Sequence, residues 1–488
     1  MKEKKMRLVI DQSTSGTKLL LVRNGNILKR YDKTHQQLHP ESGWVEQDAL
    51  EIWDNVKGLI DLAMTTNKLD STMIASLSIT NQRETIIAWD KETGLPLYNA
   101  IVWQCNRSQD ICKRLISQGK EAVINSKTGL KLDPYFSGTK IKWLFENVPI
   151  IAEKSTAGKL ALGTVDSWLI WNLTQGKVFA TDTTNACRTL LFDINELRWD
   201  EELLEMFGAT RSDLPDVKES STIFGYYKGV KIQGVMADSQ AALVGQKCTQ
   251  YGEVKLTLGT GASVLMQMDG NGFIRDTQVM TTIAHANQGK VDYAMEGIIR
   301  SCADSINWFQ KQITTFSDID HACNLVLETR SNEEVYFIPA LQGLASPFWT
   351  NNATGLFVGM KLTSNRRDLL RAILESIVFQ VKSIIDVMEE VADKKIKCIK
   401  VDGGVTKNHQ LMKMLATILG KEIIINNVEE LSAIGVYSIV EKVTETITLN
   451  QSIIDPINNS VFQEKAALIH RFESWKKLIS RFEEKEDK

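Results

Sequence analysis

Long hydrophobic runs are missing from this 488-residue chain. Stretches such as Ile423-Ile424-Ile425 and Leu19-Leu20-Leu21-Val22 are the longest kind present. A bilayer-crossing helix needs about 20 apolar residues, so no integral membrane association is expected. The start is basic (Lys2, Lys4, Lys5), but its apolar stretch ends at Asp11, too soon for the core of a secretory signal. A cytoplasmic location is therefore expected. No CxxC pair joins any of the seven scattered cysteines, which argues against a disulfide framework and a structural zinc site. The six histidines show no HExxH spacing, so a histidine-built metal centre has no support. Charge of one sign is lacking too: Lys plus Arg number 57 against 60 Asp plus Glu, for a net charge of −3, with no long basic block. Nucleic acid is not an expected partner.

What is present is ordinary for a soluble globular chain: 43% hydrophobic and 24% charged residues. Apolar runs alternate with amphipathic stretches from end to end. The spacing predicts strands at 6–10, 18–22, 74–80, 85–89, 100–103, 231–236, 253–258, 263–268, 398–401 and 422–426. It predicts helices at 48–64, 139–147, 239–245 and 366–390. Asp48 and Glu51 stand at capping-box spacing. Leu370, Ile373, Ile377, Val381, Ile384 and Met388 recur at three and four, one buried helix face. The alternation argues an α/β fold with mixed β-sheets.

Two hairpins echo each other. One reads strand, Asp11-Gln-Ser-Thr-Ser-Gly16, strand; the other reads strand, Gly259-Thr-Gly261, strand. Turns of small hydroxyl residues and glycine leave backbone N–H groups open to a phosphate chain. A third glycine turn, Asp402-Gly403-Gly404, also follows a strand. Each turn alone reads more readily as a plain β-turn, because Gly-Thr-Gly is a weak pattern; their repetition points to nucleotide binding and to a duplicated domain, divided as 1–249 and 250–488.

The segment Tyr135-Phe-Ser-Gly-Thr-Lys140-Ile-Lys-Trp143-Leu-Phe-Glu-Asn147 resembles the first signature of the FGGY carbohydrate kinases. Gly355-Leu-Phe-Val-Gly359-Met, followed by Asp368-Leu-Leu-Arg-Ala372-Ile-Leu-Glu375, resembles the second. The stretches Ile79-Thr-Asn-Gln-Arg83-Glu84-Thr, Ala100-Ile-Val-Trp103-Gln-Cys and Asp166-Ser-Trp-Leu-Ile-Trp171 are similar to the glycerol kinase branch. The resemblance implies two actin/ribonuclease-H-like domains with the active site in the cleft between them. The N-terminal domain would carry polyol binding, the first phosphate loop and the catalytic Asp; the C-terminal domain would bind the nucleotide. It implies ATP with Mg²⁺ as donor and a small polyol or sugar as acceptor, with glycerol phosphorylated to sn-glycerol 3-phosphate. It also implies a homodimer or homotetramer and closure of the two halves on their ligands.

Residue by residue, the resemblance makes Asp238, in Ala237-Asp238-Ser-Gln-Ala-Ala, the base that takes the acceptor proton. By pattern alone Asp238 reads either as a helix N-cap or as that base. Asp11 would hold Mg²⁺, as oxygen donors suit a hard cation. Thr14, Ser15, Gly16 and Lys18 would line the terminal phosphates, with Gly259 and Thr260 as the second phosphate loop and Gly404 and Asn408 on the adenosine side. Lys18 stands where this branch usually carries Arg, and Ala303 and Asn307 stand where it usually carries Gly and Gln. Arg83 and Glu84 would grip adjacent hydroxyls as donor and acceptor. Trp103 and Tyr135 would cover the carbon chain and add a hydroxyl contact.

Ser239 and Ser263 replace the Gln and Phe usual in the glycerol pocket. Both shorten the side chain, and the second removes an apolar wall, which leaves room for a longer polyol or a ketose as the alternative acceptor. A catalytically silent, actin-like ATP-binding regulator is the reading from another class. Loop 220–231 contains no histidine, so control by phosphohistidine is not expected there.

Overall fold

The computed structural model describes residues 6–268, 276, 278–314, 316–328, 334–350, 353–426, 428, 430–440, 451–456 and 462–483. Two mixed sheets organise the chain. The first has the order Ile223–Tyr227, Val230–Ala237, Ile74–Asn81, Met6–Gln12, Gly16–Arg23, Asn26–Thr34. The chain's first three strands, Met6–Gln12, Gly16–Arg23 and Asn26–Thr34, form an antiparallel meander in it. Met6–Gln12, Ile74–Asn81 and Val230–Ala237 run parallel. Alternate residues face opposite sides of a strand. Leu8, Ile10, Leu19 and Leu21 thus pack with Ile52, Val56 and Ile60 of the helix Ala49–Thr66. Val9, Leu20 and Val22 pack instead with Met236, Ala433 and Val436.

The second sheet has the order Met280–Asn287, Lys290–Ile299, Ala262–Gln267, Val254–Leu258, Cys398–Asp402, Glu422–Asn426, Gln451–Ile454. Here too a hairpin leads, and Val254–Leu258, Cys398–Asp402 and Glu422–Asn426 run parallel. Both sheets therefore repeat one plan of strand directions, as the echoing hairpins suggest. Parallel strands end at Gln12, Asn81 and Ala237 in one sheet and at Leu258, Asp402 and Asn426 in the other. Carboxyl ends of such strands are where open α/β sheets bind ligands. The helices Asp238–Gly245 and Leu431–Val440 cross at backbone contact. A Cβ on Gly245 would strike the Leu431 carbonyl, and one on Gly435 the Ala241 carbonyl.

All ten expected strand windows hold strands and all four helix windows hold helices. Three details differ. Asp48 caps its helix through Leu50 N–H, but Glu51 does not reach back; it accepts from Gln36 N–H at 3.2 Å instead. A full capping box forms at Asn365 and Asp368, at the start of the helix Arg366–Ala392. Asp238 is the first residue inside its helix, and Ala237 occupies the N-cap. The N-cap alternative for Asp238 is thereby corrected: among the described residues its Oδ1 accepts a hydrogen bond only from the adjacent Ser239 N–H, at 2.6 Å.

The two signature segments serve the frame. In the helix Ser137–Asn147, Lys140 turns its buried ammonium back onto the carbonyls of Pro134, Tyr135 and Phe136, at 2.6, 2.6 and 3.2 Å, and so fixes the loop bearing Tyr135. Glu375 is buried in the long helix and binds Arg371 at 2.8 Å and Arg471 at 2.6 Å, which pins the helix Phe462–Glu483.

Candidate active site

Arg83 follows the strand Ile74–Asn81 and is the hub of a charged array. Its Nη1 lies 2.7 Å from Glu296, while Nε lies 3.5 Å from Glu84 and 3.6 Å from Asp238. Its Nη2 donates to the Tyr135 hydroxyl at 3.5 Å. Arg188 closes the array, 2.7 Å from Glu84 and 2.6 Å from Glu296. Two guanidiniums thus alternate with two carboxylates in a buried ring, because an unpaired ion there would cost several kcal/mol (of order 3–5). Burial pushes the Glu84 carboxyl upward, against both guanidiniums. For Glu296 burial works in the same direction, yet Arg188 and Arg83 together hold it below the usual range.

Asp238 stands at the rim with 37% of its side chain exposed. Burial raises its pKa, opposed by Arg83, Lys255 and the Ser239 N–H. Glu84 adopts φ 59°, a left-handed backbone that costs a non-glycine residue of order 1 kcal/mol or more. The Ser137 hydroxyl, donating to the Glu84 carbonyl at 2.9 Å, helps to hold it.

Trp103 and Tyr135 stand with ring centres 5.3 Å apart. Trp103 also donates through Nε1 to the Thr14 hydroxyl at 2.9 Å, linking the acceptor side to the first turn. Both rings line a cavity of about 770 Å³ that extends to Arg300, Trp308 and Phe357.

A second cavity, of about 480 Å³, brings together Asp11, Lys18, Asp238, Ser239 and Gly404 from the expected residues. Lys255 and Asp402 line it as well. Ser13 N–H closes the first turn on the Gly16 carbonyl at 2.8 Å. Among the described residues, the N–H groups of Thr14, Ser15 and Thr260 have no acceptor and are open to an anion. The carbonyls of Gly259 and Thr260 are held from behind by the N–H groups of Ala303, Cys302 and Asp304. Gly403, at φ 100°, lies so close to the Leu258 carbonyl that a Cβ would strike it, which sets the third turn against the end of the second hairpin's first strand.

Other expected residues are placed elsewhere or engaged. Lys18 is drawn to Glu430 at 3.4 Å, a carboxylate that Arg30 also holds at 2.8 Å. Asn307 lies exposed on the helix Ala303–Trp308. Asn408 spends its side-chain carbonyl capping the helix His409–Leu419 through Leu411 N–H at 2.9 Å. Ser263 sits on the acceptor side, where its hydroxyl donates to Glu296 at 3.4 Å.

The cavity also suits a hard cation held together with phosphates. Asp11 and Asp402 offer carboxylate oxygens, and Oδ1 of Asp402 is buried without a partner among the described residues. Burial, reinforced by Glu430 and Asp238 and opposed by Lys18, pushes the Asp11 carboxyl up to about 7, the mark of a place short of positive charge. No group of three or more His, Cys, Asp or Glu among the described residues could cage an ion alone. That fits Mg²⁺, which typically takes one or two carboxylates and leaves its other positions to phosphates and water.

Sequence reading missed Glu296, Arg188, Lys255 and Asp402 as site residues. Their one signal was a charge set in an otherwise apolar segment, as in Ala294-Met-Glu296-Gly-Ile-Ile and Val254-Lys255-Leu.

Comparison with known proteins identifies the family. The FGGY family of carbohydrate kinases matches through its N-terminal domain over residues 6–245 and its C-terminal domain over residues 254–439. The chain is 38% identical to glycerol kinase 1 of Thermotoga maritima, over 97% of this chain and 98% of that protein. It is 41% identical to glycerol kinase of Shewanella sp. strain ANA-3, over 89% of each. Plasmodium falciparum glycerol kinase, solved with ADP, superposes with a TM-score of 0.88 at 30% identity over 99% of both chains. A ligand-bound xylulose kinase from Lactobacillus acidophilus shares the fold at TM-score 0.85 and 21% identity, over 97% of this chain and 98% of that one. This chain belongs to the FGGY family of carbohydrate kinases.

Proposed function

We propose that this chain transfers the terminal phosphoryl group of ATP to a primary hydroxyl of glycerol, giving sn-glycerol 3-phosphate and ADP. One observation carries the reading: Arg83 stands within 3.6 Å of both Glu84 and Asp238, so a donor, an acceptor and a base converge at one point. Arg83 and Glu84 grip neighbouring hydroxyls, while Trp103 and Tyr135 cover the carbons. Asp238 faces the remaining hydroxyl and takes its proton as that oxygen attacks phosphorus. The bond between the terminal phosphorus and the bridging oxygen breaks, and ADP leaves with the electron pair.

The open N–H groups of Thr14, Ser15 and Thr260, with Gly16, Gly259 and Gly404, support a triphosphate laid across the cleft. Mg²⁺, held by Asp11 with Asp402 nearby, would neutralise phosphate charge when bound. Ala303 acts here through its backbone. The same reading divides the chain at 249/250, and it carries a cytoplasmic site of action and a homodimer or homotetramer, which native mass spectrometry measures. Among the described residues no helix is long and apolar enough to cross a membrane.

A second reading of the acceptor rests on Ser263, whose hydroxyl turns one wall polar beside Glu296. Ser239 leaves space at the base. A longer polyol or ketose would use both. An acceptor panel decides: glycerol is expected to give the highest kcat/KM, and a four- to six-carbon polyol or ketose surpassing it overturns the glycerol assignment. No phosphorylated product from any acceptor overturns the kinase reading itself.

A further inference from the structure

Val254, Leu256 and Leu258 lie in the core of the second half. Strand alternation turns Lys255 and Thr257 to the other face, where both line the 480 Å³ cavity. Lys255 exposes 1% of its surface. A buried ammonium is costly unless it is paired, and the two buried guanidiniums of the acceptor array each have carboxylates in contact. Lys255 has none. Among the described residues, no acceptor lies within hydrogen-bonding reach of its Nζ and no carboxylate lies within ion-pairing distance. Burial accordingly lowers its pKa, while Asp402 and Asp238 act on it from a distance.

We propose that Lys255 binds the terminal phosphoryl group of ATP during its transfer to the acceptor hydroxyl. The inference rests on the kinase reading above and adds a residue to it. The ammonium lies in one cavity with Asp238, the base, and with Asp11 and Gly404 of the nucleotide side. Its strand runs directly into the turn Gly259-Thr260-Gly261. Lys18, another cation of that cavity, is partly spent on Glu430. A phosphoryl group in transit spreads negative charge over three equatorial oxygens. A preformed cation without a competing partner stabilises that charge with no reorganisation. Lys255 keeps its protons throughout; the hydroxyl proton goes to Asp238 and the electron pair leaves with ADP.

The test compares Lys255→Met with the wild-type full-length chain. Calorimetry would give the affinities for ADP and for a non-hydrolysable ATP analogue, both with Mg²⁺, and steady-state kinetics would give kcat and the acceptor KM. The expected result is a loss of about 10²–10³ in kcat, the range for removing one preorganised charge-stabilising donor. The analogue should bind about tenfold more weakly, or more, while ADP affinity stays within about twofold; a tenfold change is about 1.4 kcal/mol. Retained ADP binding also reports an intact fold. Unchanged kcat, or equal weakening of ADP and analogue, overturns the proposal. Should Lys255→Met not fold, Lys255→Gln keeps a polar head in the slot, and the same ADP-against-analogue difference must appear there or the proposal fails. Absence of product from the wild-type chain would overturn the kinase reading separately, because the two binding measurements need no turnover.

Discussion

Arg83 and Glu296 meet at 2.7 Å across 213 residues of chain. The guanidinium proposed to grip the acceptor, which follows a strand of the first sheet, is thus oriented by a carboxylate on a strand of the second. Glu296→Gln keeps the shape and removes the charge, leaving Arg83 and Arg188 with Glu84 between them. A loss of roughly 3–5 kcal/mol in stability is expected, as for any buried ion stripped of its partner. A raised acceptor KM is expected with it. Urea unfolding and acceptor titration check both; a variant unchanged in either measure would show that the ring does not orient Arg83.

Asp238→Asn removes the proposed proton acceptor and leaves the hydrogen bond from Ser239 N–H available to the amide oxygen. A fall in kcat of about 10²–10⁴ is expected, the usual range for a general base. ADP affinity and melting temperature should hold, since the side chain stands at the rim. Full activity in this variant would exclude Asp238 as the base.

Gly403→Ala forces a Cβ onto the Leu258 carbonyl at a backbone angle of φ 100°. A penalty of about 1–3 kcal/mol is expected. Because the third turn would have to leave the hairpin, ADP affinity should fall as well. Calorimetry and thermal unfolding measure the two effects; loss of stability with intact ADP affinity would remove this turn from the nucleotide site.

Asp166 gives a pH signature remote from the cleft. Burial, reinforced by Asp182, pushes its carboxyl up to about 7 from an ordinary 3.8. The folded protein therefore holds this proton over a range in which the unfolded chain has lost it. Its contribution to stability is complete below about pH 3.8 and disappears as pH rises through about 7, with a slope of at most about 1.4 kcal/mol per pH unit for one proton. Asp166→Asn stays neutral throughout. The difference in unfolding free energy between variant and wild type should move in the variant's favour from pH 4 to 7, read by denaturant titration at each pH. A flat difference would contradict a raised pKa.

The frame was legible because its strands are buried and apolar and its turns are rich in glycine, features that a linear pattern records. Asn26–Thr34 escaped notice for the opposite reason: it is a largely exposed edge strand of polar and charged residues, without alternation. Of the site, the residues at strand ends in the first half were readable, since Arg83, Glu84 and Asp238 sit in distinctive runs. Glu296 and Arg188 were not, because their meaning comes from ion pairs between segments far apart in sequence. The engagement of the Asn408 side-chain carbonyl was equally hidden; only its position at a helix start shows that capping already claims it.

The twin sheets also divide the labour. Asp238 directly follows a strand of the first and opens the next helix, whereas Ser263 and Glu296 belong to neighbouring strands of the second, paired through Ser263 with Ile298 and Leu265 with Glu296. On the proposed reading, deprotonation and part of the selectivity wall thereby belong to separate scaffolds. Redesign toward a bulkier alcohol can then proceed by altering one scaffold while the segment bearing Asp238 keeps its native sequence.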